Sequence, residues 1–170
     1  MTLTLSKPKP MTQDLDLCLK QRIYELSQIA FNRDYNKYLA GRMVIILKKQ
    51  ISTNTIQLDQ SEKSVQAGYK SNVDILIISD EVYNAPGNQR DTILIHELAH
   101  CYQYDFEHIP PYQQSRDLAE RFFPDDIYHD EPFARVLIEG CKNYLAKEPW
   151  QFPTVDETIN SALRFETLAD

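Results

Sequence analysis

The 170-residue sequence has few of the features that mark several large protein classes. Its three cysteines include no Cys-x-x-Cys pair, which excludes a zinc ribbon and argues against a disulfide-stabilised scaffold. Its longest aliphatic runs, at residues 43–47 and 75–78, fall far short of the roughly 18 residues that span a membrane. The N-terminal residues include no apolar stretch of the signal-peptide kind. We therefore predict a cytoplasmic protein with reduced thiols and no membrane partner.

The composition is that of an ordinary globular protein, with 42% hydrophobic and 25% charged residues. Residues 1–13 contain two Lys-Pro steps and no apolar periodicity, so we predict a flexible arm there. The remaining chain has the length of one domain, which we place at residues 14–170. A chain of this size buries enough surface to fold without disulfides.

The net charge of −7 is unevenly distributed along the chain. Residues 1–50 contain nine Lys or Arg and four Asp or Glu, whereas residues 51–170 contain nine and 21. An acidic body repels nucleic-acid phosphates, which disfavours a dedicated nucleic-acid surface. Only the basic N-terminal third could bind a nucleic-acid partner, and its charges are more typical of solvated helix faces.

Hydrophobic periodicity predicts helices in the N-terminal and C-terminal parts of the chain and extended segments between them. Apolar residues recur at helical spacing from Asp14 to Ala30. Runs rich in Val and Ile predict strands at residues 42–48 and 73–79, with a third extended candidate at 55–58. Further helices are predicted at residues 88–105, 112–122, 132–147 and 155–168, the first capped by Asn88.

One motif carries chemistry: residues 96–100 read His-Glu-Leu-Ala-His. On a helix His96 and His100 are four residues apart, so both imidazoles project from one face and can chelate one ion. Glu97 is turned about 100° from His96, where it can reach a water on that ion. Zinc lowers the pKa of such a water toward about 7, and a neighbouring carboxylate can take its proton. Imidazole nitrogen suits Zn²⁺ better than Mg²⁺ or Ca²⁺.

A catalytic zinc ion also needs a third protein ligand. The compact pattern HExxHxxGxxH is excluded, because Gln103 and Phe106 stand where its glycine and third histidine would be. Glu120 follows His100 by twenty residues, a spacing that resembles the thermolysin-like peptidases. The residues alone leave candidates in four regions, namely His108, Glu120, His129 with Glu131, and Glu139.

The segment from His129 to Leu137, HDEPFARVL, resembles the H-G-x-x-F-x-x-x-[LM] signature of SprT-like zinc metalloproteases. A glycine at position 68 before the apolar segment 73–79 also resembles that family's stretch ahead of its zinc helix. The resemblance covers about residues 40–145. Asp130 replaces the signature's glycine, and the family's C-terminal zinc ribbon is absent from this sequence.

This resemblance implies that His129 is the third zinc ligand. Glu120 and Glu131 are the alternatives that the residues themselves offer. We accordingly predict a minimal SprT-like zincin with an α+β fold: an N-terminal helix, a short mixed sheet, and the HExxH helix packed with further C-terminal helices. One zinc ion per chain, held by His96, His100 and His129, would hydrolyse peptide bonds with Glu97 as general base. The segment 73–79 would accept a protein or peptide substrate by backbone pairing.

Two other functions fit the same residues. The first is a metal-binding regulatory or interaction domain without proteolytic activity, and the second is a zinc hydrolase acting on a non-peptide amide. An intact Glu97 favours catalysis, since a purely structural metal site needs no general base.

Several residues near the motif are candidates for supporting roles. A tyrosine hydroxyl could stabilise the oxyanion of the reaction, and four tyrosines are candidates: Tyr102, Tyr104, Tyr112 and Tyr128. Asp130 or Asp105 would orient a ligand imidazole, and Cys101 is predicted to be a buried thiol.

Overall fold

The computed structural model describes residues 8–32, 44–48, 67–70, 75–79, 82, 85–103, 110–122 and 128–164. Side chains are described for residues 19–32, 82, 85–103, 110–122 and 128–164. The predicted strand at 55–58 and the candidate ligand His108 lie outside these residues.

Five helices make up the part of the chain whose side-chain packing is described. They are α1 (Pro8–Phe31), α2 (Gly87–Tyr102), α3 (Gln113–Glu120), α4 (Glu131–Lys147) and α5 (Val155–Ala162). Helix α1 begins six residues before its predicted start at Asp14, so the last part of the predicted arm is helical. It ends at Phe31, and the following Asn32 has a φ of 52°, the left-handed conformation that asparagine tolerates at helix ends.

Three short segments form strands that are described by their backbone alone: β1 (Val44–Lys48), β2 (Ala67–Lys70) and β3 (Ile75–Ser79). β3 pairs with β1 in parallel and with β2 in antiparallel orientation. The strand order is therefore β1-β3-β2, with β3 in the middle. Because both sides of β3 are already paired, the prediction that this segment accepts an extended substrate is wrong.

The predicted fold class, α+β with a short mixed sheet in one core, is contradicted by the part of the chain whose side chains are described, and the three strands lie outside that part. The part of the chain with described side chains contains five helices and no strand. Nearly all of its buried hydrophobic residues belong to these helices or their ends. The physical reason is that α2 packs against α1, α4 and α5, whose apolar side chains cover it. The backbone of β2 also lies beside α2. The described hydrophobic core is therefore formed mainly by helices that pack against one another.

The α1 face predicted from periodicity lies in this core, with Leu19, Ile23 and Leu26 fully buried. Helix α2 is buried at almost every position from Asp91 to Ala99. Helix α4 approaches α1 and α2 closely at Gly140, where an added Cβ would lie 2.6 Å from the ring of Phe31. Such an enclosed α2 is a rigid support for the histidines that it carries.

None of the described helices combines the length and the apolar composition needed to cross a bilayer.

Candidate metal centre

Helix α2 carries the first two histidines of the HExxH motif on one face. His96 is buried, with 3% of its surface exposed, and His100 is half-buried one turn later. Their ring centroids lie 5.1 Å apart. The flanking Ile95 and Leu98 are fully buried, which fixes the rotation of the helix about its axis. The spacing of the motif thus produces the predicted pair of neighbouring imidazoles.

His129 brings the third imidazole to this pair from the segment just before α4. Its Nε2 lies 3.3 Å from Nε2 of His96, and its ring centroid lies 4.9 Å from that of His100. The ligand nitrogens of His96, His100 and His129 all lie within 4.8 Å of one another. These three residues could therefore bind one metal ion.

The separation of one pair of these nitrogens fits a metal ion of zinc's size. Two nitrogens bonded to one ion at about 2.05 Å with a tetrahedral angle lie about 3.3 Å apart. His96 and His129 have this separation between their Nε2 atoms. Three neutral imidazoles present lone pairs rather than charge, a donor set that suits zinc and other borderline transition metals.

The carbonyl oxygen of Ala162, at the end of α5, orients the imidazole of His96. It lies 3.1 Å from Nδ1 of His96. Because a carbonyl oxygen only accepts hydrogen bonds, the ring proton resides on Nδ1 and the lone pair on Nε2, the nitrogen that faces His129. No sequence pattern signals this contact, since it joins residues 66 positions apart.

Two buried phenylalanines support the imidazoles. Phe133 in the first turn of α4 is stacked on His100, with centroids 4.3 Å apart, and meets the rings of His96 and His129 edge to face. Phe122, just after α3, is stacked on His129 with centroids 5.1 Å apart. Both side chains are almost fully buried, so the three rings have little freedom to rotate. The contact of Phe122 was not anticipated from the sequence.

Glu97 lies beside the imidazoles, as the motif predicts. Its side chain is 9% exposed, and its Oε2 lies 3.9 Å from Nε2 of His96. The carboxylate is therefore on the same side of the ring as the ligand nitrogen. A carboxylate in this position is within reach of a water or substrate atom held at the three histidines.

The two alternative third ligands are not brought into this group. Glu120 is exposed at the end of α3. Glu131 forms an ion pair with Arg135, one turn along α4, and accepts a hydrogen bond from Ser115 at 2.6 Å. Burial alone would raise the pKa of Glu131, but the hydrogen bonds from Arg135 and Ser115 outweigh it and lower that pKa. Glu131 thus joins α3 to α4 as a charged carboxylate. Glu139 is half-buried within α4 and is likewise outside the group.

Most of the other proposed supporting residues have roles in packing. Tyr102 is buried and donates a hydrogen bond to Ser27 on α1. The buried hydroxyl of Tyr112 has no hydrogen-bond partner among the described residues, and burial raises the pKa of Tyr112 to about 12. Asp130 caps α4 by accepting a hydrogen bond from the backbone of Phe133.

The remaining sequence predictions concern four residues near the motif or His129. Cys101 is half-buried rather than buried, with its thiol 3.5 Å from the carbonyl of Glu97. Tyr128, next to His129, is 67% exposed. Tyr104 and Asp105 lie outside the described residues.

Comparisons of the chain with protein-family models, with curated proteins and with solved structures give no match. The function therefore has to be inferred from the chemistry of the site itself.

Proposed function

We propose that this protein is a zinc-dependent metallopeptidase of the HExxH type. The observation that carries the proposal is the convergence of three imidazole nitrogens within 4.8 Å, with the buried carboxylate of Glu97 beside them. Three protein ligands leave a fourth position for water or substrate, which distinguishes catalytic zinc sites from closed structural ones. A general base adjacent to such an open position is needed only for catalysis.

His96, His100 and His129 would hold the zinc ion. Bound zinc lowers the pKa of a coordinated water and polarises a substrate carbonyl. The chain's own contribution begins with orientation, because the Ala162 carbonyl and the ring of Phe133 keep the imidazoles of His96 and His100 in place. A fixed ligand geometry lowers the reorganisation that accompanies the reaction.

Glu97 would act as the general base and then as the general acid. Its carboxylate accepts a proton from the attacking water as the water oxygen bonds to the peptide carbonyl carbon. It then delivers that proton to the amide nitrogen as the carbon–nitrogen bond breaks, so the products are a carboxylic acid and an amine. The buried surroundings of Glu97 restrict competing proton exchange with bulk solvent.

We further propose that the chain is SprT-like around the site. The support is local: His129 and Phe133 stand at the histidine and phenylalanine positions of the signature, and the ring of Phe133 contacts all three imidazoles. Asp130 replaces the signature's glycine and caps α4 instead. A substrate of this enzyme would be a protein or peptide.

The metal site is tested first by zinc stoichiometry. We expect one zinc per chain in the wild type and loss of zinc in His129→Ala. Glu120→Ala and Glu131→Ala are the matched controls and should keep their zinc. Loss of zinc in either glutamate variant alone would move the third ligand to that residue, and no zinc in any sample would overturn the proposal.

The activity is tested with Glu97→Gln, loaded with zinc and assayed on fluorescently labelled casein. Removing a general base should reduce the rate of cleavage by about 10²–10⁴-fold while zinc remains bound. Glu120→Gln, an exposed glutamate on α3, is the control and should cleave at the wild-type rate. Equal rates for wild type and Glu97→Gln would contradict the mechanism. A zinc-loaded wild type that cleaves nothing would favour the non-catalytic metal-binding function.

Metal removal separates a catalytic ion from a structural one. Since the helices bury a continuous hydrophobic core without the ion, chelation should abolish cleavage and leave most of the helical circular-dichroism signal. Cooperative unfolding on chelation would instead identify a structural metal.

A further inference from the structure

The three histidines differ in what positions them. His96 and His100 are set by the geometry of α2 itself, because residues four apart on a helix share a face. His129 lies outside any helix, in the bend formed by residues 128–130 that precedes α4. Its position relative to the other two therefore depends on contacts that connect this bend to α2.

Gln103 supplies such a contact. It is the residue that directly follows α2, three positions after His100, and only 6% of its surface is exposed. Its side-chain amide donates a hydrogen bond to Oδ1 of Asp130, at 3.1 Å. The same carboxylate oxygen accepts from the backbone of Phe133 at 3.1 Å and so caps α4. A buried amide is held in this arrangement because an unmade hydrogen bond there is costly.

The result is a short connection between two metal ligands. It runs from His100 along the end of α2 to Gln103, across the hydrogen bond to Asp130, and through one peptide bond to His129. Gln103 occupies the position that is glycine in the HExxHxxGxxH pattern. In this chain the same position carries a side chain that links the metal helix to the segment holding the third histidine.

We propose that Gln103 is a positioning residue of the metal centre, whose hydrogen bond to Asp130 holds His129 within reach of the ion bound by His96 and His100. The inference rests on the proposed zinc site and adds to it a residue that touches neither metal nor substrate. Its consequence is that zinc affinity depends on Gln103.

The test measures the zinc dissociation constant by competition with a chromophoric chelator, together with the unfolding of the metal-free protein in urea. In Gln103→Leu, which keeps the size of the side chain and removes the donor, the Kd for zinc should rise about 10-fold to 100-fold. Gln113→Leu is the matched control, because Gln113 makes the same kind of hydrogen bond to Asp117 on the exposed face of α3. Its Kd should equal that of the wild type.

Two variants of Asp130 test the hydrogen bond itself. Asp130→Gly removes the acceptor, and glycine is tolerated as a helix cap, so the Kd should rise as it does in Gln103→Leu. In Asp130→Asn the amide oxygen can still accept from both Gln103 and the backbone of Phe133, and the Kd should stay within a few-fold of the wild-type value. These variants also decide the question if Gln103→Leu does not fold.

The possible results separate the two proposals. A Kd unchanged in Gln103→Leu, with or without lower stability of the metal-free protein, would overturn the positioning role and leave the zinc site intact. An Asp130→Gly variant that binds zinc as tightly as the wild type would also overturn it. A wild-type protein that binds no zinc would overturn the proposed function, and this inference with it.

Discussion

Arg22 on α1 should be among the residues on which stability depends most. Its guanidinium makes a two-point ion pair with Asp91 in α2, with distances of 2.9 Å to Oδ1 and 2.6 Å to Oδ2. It also contacts Glu148 at the end of α4, at 3.0 Å. Asp91 is only 2% exposed and accepts a further hydrogen bond from Tyr144. This cluster joins α1, α2 and the end of α4 about one and a half helical turns before the first metal-binding histidine.

Replacing Arg22 with methionine leaves the Asp91 carboxylate buried without its cation. Removing one partner of a buried ion pair costs about 3–5 kcal/mol. The Arg22 side chain is 20% exposed, so water can partly replace it, and we expect the lower end of that range, about 3 kcal/mol. A loss of this size is a large fraction of the about 5–15 kcal/mol that separates native and unfolded states of a typical domain.

Urea unfolding followed by circular dichroism, in the presence of a chelator, measures this loss without a contribution from bound metal. Glu25→Gln is the internal control. Glu25 pairs with the same arginine but is 46% exposed, so its loss should cost about 0.5 kcal/mol or less. A loss below about 1 kcal/mol in Arg22→Met, similar to that in Glu25→Gln, would refute the argument that burial of Asp91 makes the pair important.

Three further substitutions test a close helix contact, a buried hydroxyl and a helix cap. Gly140→Ala should lower the free energy of unfolding by about 1–3 kcal/mol, because its Cβ would meet the ring of Phe31; a variant as stable as the wild type would show that the ring moves freely. Tyr112→Phe removes a buried hydroxyl without a described partner and should raise stability by up to about 1 kcal/mol. Because the folded-state pKa of Tyr112 is raised to about 12, the unfolded chain loses this proton first, and the free energy of unfolding falls as the pH rises from 10 toward 12. Urea unfolding at pH 7 and at pH 10–12 should therefore show a smaller alkaline loss of unfolding free energy in Tyr112→Phe than in the wild type. Equal losses in the two proteins would contradict the raised pKa of Tyr112. Thr154→Ala removes the cap that accepts from Glu157 at the start of α5 and should cost about 1 kcal/mol in urea unfolding, whereas no change would mean that solvent replaces the cap.

Sequence periodicity located the helices well where one face is apolar and the ends carry caps. The helix predicted at 132–147 corresponds to α4, which begins at Glu131 and ends at Lys147. Helix α2 begins at Gly87 rather than after a cap at Asn88, whose side chain donates instead to the carbonyl of Gln151. The fold class was wrong because α2, which is buried at every position from Asp91 to Ala99, does not reveal in its sequence what covers it. Among the described side chains, those of other helices cover it.

The alternatives for the third ligand show why composition and spacing were insufficient. Glu120, His129 and Glu131 all follow the motif at spacings from which a fold can bring a side chain back to it. The structure pairs Glu131 with Arg135 and leaves Glu120 exposed, while His129 reaches His96. The resemblance in residues 129–137 favoured His129, but the residues by themselves did not separate the three.

What the sequence alone determined is the local part of the site: two imidazoles on one helix face with a carboxylate beside them. Helical geometry fixes this arrangement, since residues four apart lie on one face whatever surrounds the helix. The tertiary structure decided the rest. The approach of His129 to His96 spans 33 positions, that of Ala162 spans 66, and the link from Gln103 to Asp130 spans 27. Contacts over such separations depend on how the helices pack, and packing is set by all of the buried side chains together.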